Sequence, residues 1–177
     1  MPTYTARVVS PVGPLTLAAQ DGRLIGLWLA GQKYERAGLP ADAREDPEAA
    51  PFPRVRKWLA AYFDGRKPDA DSLPLDPQGT EFQRRVWALL RQIPYGRTVC
   101  YGQLARRLRT SARAIGSAVA RNPISILIPC HRVLGADGAL TGYAGGLEVK
   151  RRLLLLEGSR RGEESAGNKN ELPGRYI

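Results

Sequence analysis

Hydrophobic and polar positions alternate with a period of two over residues 3 to 30, the spacing of half-buried strands. TYTARVV, the turn-rich SPVGP, LTLAA, the pair Asp21-Gly22 and RLIGLWLA predict three short strands in an antiparallel meander, with Asp21-Gly22 as the hairpin turn. Residues 31 to 51 are polar, carry Pro40, Pro47 and Pro51 and show no period, so they predict a loop. From Val55 the apolar positions Val55, Trp58, Leu59, Tyr62 and Phe63 recur at helical spacing until Asp64-Gly65, which predicts a helix that covers the sheet. KPDADSLPLDPQG is a linker by composition.

The period then changes. Thr80 is placed to N-cap a helix whose apolar face is Phe82, Val86, Leu89, Leu90 and Ile93. After Pro94 to Gly96, Thr98 is expected to cap a short helix, with Cys100 inside it, that runs to Leu108. Arg109 to Ser111 is expected to make a tight turn into a helix from Ala112 to Arg121, and two short helices across such a turn predict a helix-turn-helix. In the second helix Ala112, Ala114, Gly116, Ser117, Ala118 and Ala120 are all small, which suits either close approach to a partner or tight helix packing. Asn122-Pro123 ends that helix, because a residue before proline is pushed out of the helical region. ISILI then predicts an extended strand that delivers PCHRV, followed by a turn over Gly135 to Gly138, the glycine-rich TGYAGG and a helix from Leu147 to Glu157 closed by Gly158. The pattern divides the chain into an α/β domain with its linker over 1–78, a helical domain over 79–158 and a polar tail over 159–177, which is expected to be flexible.

Charge sharpens this division. Residues 1–79 hold ten acidic and ten basic side chains, whereas 80–177 hold seven and seventeen, so the formal net charge of +10 lies in the second half. Between Thr80 and Arg132 the one acid, Glu81, faces ten arginines: Arg84, Arg85, Arg91, Arg97, Arg106, Arg107, Arg109, Arg113, Arg121 and Arg132. Such segregation points to a polyanion partner. No apolar run approaches the roughly 18 residues that cross a bilayer, and MPTYTARVV lacks the apolar centre of a signal peptide. Two cysteines in such different settings do not form a disulfide framework. The expectation is a cytoplasmic protein without membrane contact.

The candidate chemistry centres on Cys130. A thiol with an ordinary pKa near ~8.5 is mostly protonated at neutral pH and needs a base or a positive neighbourhood to act as a nucleophile. His131 follows it and is the only histidine in the chain, so any imidazole chemistry happens there. Adjacent residues of an extended segment point apart, so a local bend or a bridging water is required between thiol and ring. Glu157, at the negative end of the last helix, gains from a cationic partner. Cys130, His131 and Glu157 therefore offer nucleophile, base and orienter. Cys100 reads as an ordinary buried cysteine.

NPISILIPCHRV followed by TGYAGGLEVKRRLLLLEG, with FQRRVW, IPYG and YGQLA upstream, resembles the active-site region of the O6-alkylguanine-DNA alkyltransferases, or methylated-DNA protein-cysteine methyltransferases; SPVGPLTLA resembles the family's first domain more loosely. The resemblance implies an α+β fold, with a ribonuclease H-like first domain and a winged helix-turn-helix-like second one. It implies single-turnover repair, in which Cys130 takes the alkyl group from O6-alkylguanine, and leaves open whether O4-alkylthymine is also repaired. His131 would be a water-mediated base, Glu157 its holder, and Asn122 the shaper of the bend that places the thiol. Tyr101 would lie near a DNA phosphate and assist protonation of the departing guanine. Arg113 would fill the gap left by the flipped nucleotide, on a recognition helix that meets the minor groove through Ala112, Gly116, Ser117 and Arg121. The carbonyls of Cys130 and Val133 would accept the guanine amino group, with Tyr143, Ala144, Gly145 and Gly146 lining the pocket.

The implied partner is double-stranded DNA bound by a monomer, with cooperativity along the DNA left open; no cofactor or metal is implied. Some relatives bind zinc in the first domain through Cys and His, but here no histidine precedes residue 131 and no cysteine precedes residue 100. Two further departures stand out. The segment between Tyr101 and Arg113 is two residues shorter than usual for the family, and Ala144 replaces a serine of some relatives. Two alternative readings of the residues are a non-catalytic lesion sensor or regulator, which uses the DNA-binding features, and a cysteine hydrolase, which uses the triad.

Overall fold

The computed structural model describes residues 1–159, and the expected tail lies outside the described residues apart from Ser159. The chain divides into two compact units, one of Met1–Gln78 with Pro123–Leu127, the other of Gly79–Asn122 with the chain from Ile128 onward.

The first unit is built on a four-stranded sheet in the order β3-β2-β1-β4, with β1 at Thr3–Val8, β2 at Leu15–Gln20, β3 at Arg23–Leu29 and β4 at Arg44–Glu45. β1 and β2 pair antiparallel from Thr3↔Gln20 to Val8↔Leu15. The β2–β3 hairpin turns at Asp21 and Gly22, both with positive φ (53° and 71°), the twist-matching turn that an Asp-Gly pair favours. Gly26 of β3 leaves room for the Trp28 ring, since a Cβ there would lie 1.9 Å from it. β4 was not expected: it adds in parallel to β1 (Tyr4↔Arg44) within the stretch that reads as a loop, because two residues are too few to show a period. The expected linker also takes part. Leu24 N donates to Pro74 O and Asp76 N to Leu24 O (2.8 Å each), while Leu27 N donates to Pro123 O and Ser125 N to Leu27 O (2.8 Å each). Segments 74–76 and 123–125 thus cover the edge of β3, which would otherwise expose unpaired amides and carbonyls. Helix α1, Phe52–Phe63, buries Phe52, Val55, Trp58, Leu59 and Tyr62, with Trp58 and Tyr62 stacked at 5.2 Å.

The second unit begins with α2, Glu81–Leu90. Thr80 accepts from Gln83 N while Gln83 returns a bond to Thr80 N, which satisfies two amides that a helix start leaves unpaired. Trp87 is fully buried and its indole N–H donates to Ala118 O at 2.8 Å, tying α2 to α4. The helix-turn-helix is present as α3, Tyr101–Leu108, and α4, Ala112–Ala120. Arg109 between them adopts the left-handed conformation (φ 54°), Thr110 N closes on Ala105 O, and Ser111 caps α4 by accepting from Ala114 N. Thr98 is not the cap of α3. Val99–Cys100 forms a short strand, β5, parallel to β6 at Val133–Leu134, and this pairing holds Cys100 extended at the N-cap position, where its amide donates to Gln103 Oε1 at 2.7 Å. Cys100 is therefore buried beside a helix rather than inside one. The last helix, α5, spans Leu147–Leu156 and ends on Gly158 with φ 78°.

Candidate active site

The reactive segment departs from its sequence pattern. ISILI is rich in isoleucine and mostly apolar, yet it is no strand: Ile124 makes one isolated bridge with Leu27, and residues 125–127 turn back with Ile126 at φ 71°. Asn122 Nδ2 donates to Ile128 O at 2.8 Å across this turn, substituting a side-chain amide for the ladder a strand would have had. Cys130 N then donates to Ile128 O, Arg132 N to Pro129 O and Val133 N to Cys130 O, so Cys130–Arg132 form one turn of 3₁₀ helix. This is the bend that an extended PCHR would lack. Cys130 is 5% exposed and His131 0%.

Helix α5 supplies the other half. Lys150 and Glu157 lie two turns apart on its buried face. Glu157 sits at the C-cap, where the helix dipole disfavours a carboxylate. Three charge-assisted contacts offset this: Arg132 Nε donates to Oε2 and Arg132 Nη2 to Oε1, each at 2.9 Å, and His131 Nε2 lies 2.7 Å from Oε1. Burial alone would raise the Glu157 pKa, but His131 and Arg132 outweigh it and hold the carboxyl well below the usual carboxylate range. An ionised carboxylate only accepts, so His131 Nε2 carries the hydrogen and Nδ1 is the bare nitrogen. Nδ1 is buried and has no protein partner among the described residues. Burial, with Arg132 and Lys150 adding to it, lowers the His131 pKa despite the pull of Glu157, so the ring is neutral.

The thiol is also neutral at rest. Burial pushes the Cys130 pKa up, moderated by a hydrogen bond from Asn122 and by the Lys150 charge. Burial and the neighbouring Cys130 push Tyr101 up to about 12, so its hydroxyl keeps its proton; the hydroxyl lies 3.4 Å from Thr141 O.

The structure thus brings together Asn122, Cys130, His131 and Glu157, with Tyr101 electrostatically coupled to the thiol. Around them, Gly142 lies beside the Tyr101 hydroxyl and Gly116 beside its ring, at 3.7 and 4.0 Å from where a Cβ would be. Tyr143, Ala144 and Gly145 are half-buried in a turn closed by Gly146 N donating to Tyr143 O at 2.9 Å. Ala112, Arg113, Ser117 and Arg121 are exposed on or just after α4, whereas Ile115, Ala118 and Val119 face the core. The Val133 carbonyl already accepts from Lys150 Nζ at 2.6 Å, and the Cys130 carbonyl from Val133 N, which leaves each one further lone pair.

Two residues escaped the sequence reading. Arg132 counts in the sequence only as one of the ten arginines, yet it is nine-tenths buried and grips Glu157. Lys150 is completely buried, and its ammonium donates to the carbonyls of Val133, Thr141 and Gly142 (2.6, 2.9 and 3.2 Å). Burial lowers its pKa to about 8, against a raising contribution from Cys130. Its spacing was a signal: residues 150, 153, 154 and 157 form one stripe of α5, so a lysine there faces inward.

A buried thiol with a neutral imidazole held by an ionised carboxylate, in a unit that carries a helix-turn-helix, makes Cys130 the candidate nucleophile of a DNA-binding frame. Residues 3–77 match the 6-O-methylguanine DNA methyltransferase ribonuclease-like domain, and residues 81–159 match the DNA binding domain of the same proteins. A methylated-DNA–protein-cysteine methyltransferase of Mycolicibacterium paratuberculosis is 48% identical over 154 residues, 85% of this chain and 89% of the relative. The crystal structure of the Mycobacterium tuberculosis O6-methylguanine methyltransferase covers 97% of this chain and 96% of its own, with 41% identity and a TM-score of 0.76. That of Mycobacterium tuberculosis OGT in complex with DNA covers 89% and 92%, with 43% identity and the same TM-score. The chain belongs to the 6-O-methylguanine DNA methyltransferase family, and its second unit is the DNA-binding domain. Among the described residues no helix is long and apolar enough to cross a membrane, and no group of three or more His, Cys, Asp or Glu could hold a metal ion.

Proposed function

We propose that this chain repairs O6-alkylguanine in double-stranded DNA by moving the alkyl group onto its own Cys130, once per molecule. The observation that carries this reading is the buried chain of Cys130, neutral His131 with a bare Nδ1, and Glu157. The thiol gives its proton, through a bridging water, to Nδ1. The sulfur lone pair attacks the alkyl carbon, an S–C bond forms and the C–O6 bond breaks. The released electron pair goes to the guanine, which takes a proton from Tyr101, while the imidazolium returns its proton to solvent and Tyr101 is reprotonated. The net change is S–H and C–O exchanged for S–C and N–H. Because the S–C bond of a thioether is stable to water, Cys130 does not regenerate.

The alkyl carbon of such a lesion is enclosed by the duplex, so the nucleotide has to leave the stack, at a cost of a few kcal/mol. Arg113, exposed near the start of α4, is the residue to occupy the gap, Ala112, Gly116 and Ser117 give α4 an outer face small enough to approach the minor groove, and Arg121 just after it adds a positive charge toward the DNA. Tyr143 to Gly146 line the pocket, with Ala144 offering its backbone amide. The protein acts as a monomer on DNA.

The test is intact mass and peptide mapping after incubation with a duplex that carries O6-methylguanine. The expected result is one methyl group on Cys130 at one-to-one stoichiometry, absent in Cys130→Ala. Multiple turnover, or tight binding that leaves the cysteine unmodified, overturns the assignment and favours the hydrolase or the sensor respectively.

A further inference from the structure

The mechanism above leaves the buried Arg132 without a part. Its guanidinium makes two bonds to Glu157, a third from Nη1 to Ile93 O at 2.6 Å, and lies 5.8 Å from the centroid of the Tyr95 ring. The groups that face His131 form a closed set: Cys130 and Arg132 on its own turn, Glu157 and Lys150 from α5, and behind them Tyr95, whose hydroxyl donates to Leu156 O.

Counting charge in this set shows what the guanidinium does. Glu157 is one buried anion, and Arg132 already supplies its counter-charge through both oxygens. A protonated His131 would add a second cation around a single carboxylate in a site from which the ring is wholly hidden. Its additional proton would sit on Nδ1, which has no protein acceptor among the described residues. A buried charge whose donor is left to the bridging water alone is disfavoured relative to the neutral ring. Without Arg132 the balance reverses: the carboxylate would lack its cation, and protonating the ring would make the ion pair that Glu157 then needs.

We propose that Arg132 is a positioning residue for alkyl transfer: by satisfying the charge of Glu157 it holds His131 as the neutral Nε2–H tautomer and leaves Nδ1 bare to take the thiol proton. The imidazolium arises together with the Cys130 thiolate, so the proton transfer itself leaves the charge of the cluster unchanged. The proposal rests on His131 acting as the base, but its first readout does not involve alkyl transfer.

Because the chain has one histidine, its imidazole nitrogens give a single set of ¹⁵N signals. In the unmodified protein, long-range ¹H–¹⁵N correlation from about pH 8 down to about pH 6 should show one protonated and one bare ring nitrogen, as a neutral buried ring requires. In Arg132→Gln both nitrogens should be protonated at neutral pH. Methyl transfer to Cys130 from an O6-methylguanine duplex should then fall at least about tenfold further at pH 6 than at pH 8, the change in bare-ring fraction that one pKa unit produces. Arg132→Lys keeps the cation, so it should keep the neutral ring and a pH profile parallel to the unmodified protein.

A bare nitrogen that persists in Arg132→Gln at pH 6, with the same rate loss at every pH, overturns the proposal and leaves Arg132 a structural residue. If Arg132→Gln does not fold, a doubly protonated ring in Arg132→Lys overturns it equally. Absence of methyl transfer in the unmodified protein would remove the repair reading while the ring signals still decide the role of Arg132.

Discussion

Acid should weaken this protein through one identifiable group. His131 is completely buried and neutral, and its Nδ1 has no protein acceptor, so the folded state resists a proton that an unfolded imidazole accepts below about pH 6.5. Below that pH the unfolded chain binds more protons than the folded one, and stability falls as pH falls. While the folded ring stays neutral the slope is about 1.4 kcal/mol per pH unit, so moving from about pH 7.5 to about pH 5.5 should remove roughly 1.4 kcal/mol. That is a substantial part of a domain stability of ~5–15 kcal/mol. The assay is urea unfolding at several pH values, with constant m showing that the extent of unfolding is unchanged. His131→Gln removes the titrating ring while retaining a donor to Glu157, so subtracting its pH dependence cancels the surface carboxylates. Parallel curves for the two proteins would refute the reasoning, since they would mean that the buried ring takes its proton as readily as a free one. Glu157 acts with the same sign in a lower window: its depressed pKa adds stability that is present above the unfolded value near ~4.3 and is lost as pH falls through the folded one.

Two substitutions test the remainder of the cluster. Lys150→Met keeps the length of the side chain but deprives the buried Val133 carbonyl of its donor; a loss of about 1–3 kcal/mol in urea unfolding, with faster amide exchange over residues 141–146, is expected, and a stability gain would show that desolvating the ammonium outweighs its bonds. Glu157→Gln leaves the Arg132 charge unpaired in a buried setting and should cost about 3–5 kcal/mol in thermal or urea unfolding. In the surviving folded protein, methyl transfer should slow far more than duplex binding measured by fluorescence anisotropy, and an equal loss in both would assign Glu157 a structural role.

Much of this molecule is legible along the chain because its signals are local. The period-two runs became β1, β2 and β3, Asp21-Gly22 became their hairpin turn, and Thr80 and Gln83 close the capping box of α2. The helix-turn-helix follows from Ser111 and the apolar spacing of α3 and α4, and the arginine excess needs only counting. Cys130 and His131, as neighbours and as the one Cys-His pair, were visible too. The site itself depended on contacts distant in sequence. ISILI, with three β-branched isoleucines and a leucine, reads as a strand, but Asn122 bonds to Ile128 O and residues 123–125 pair with the edge of β3, so the run bends and delivers the thiol on a 3₁₀ turn. Pairing with Val133–Leu134 likewise holds Val99–Cys100 extended, where Thr98 reads as the cap of a helix that would include them. Sequence alone therefore determined which cysteine and which histidine are the candidates for nucleophile and base. Only the tertiary structure decided their protonation states, because those depend on burial, on how Arg132 is turned onto Glu157, and on Lys150 and Glu157, whose charges meet the cysteine and histidine only once α5 has packed.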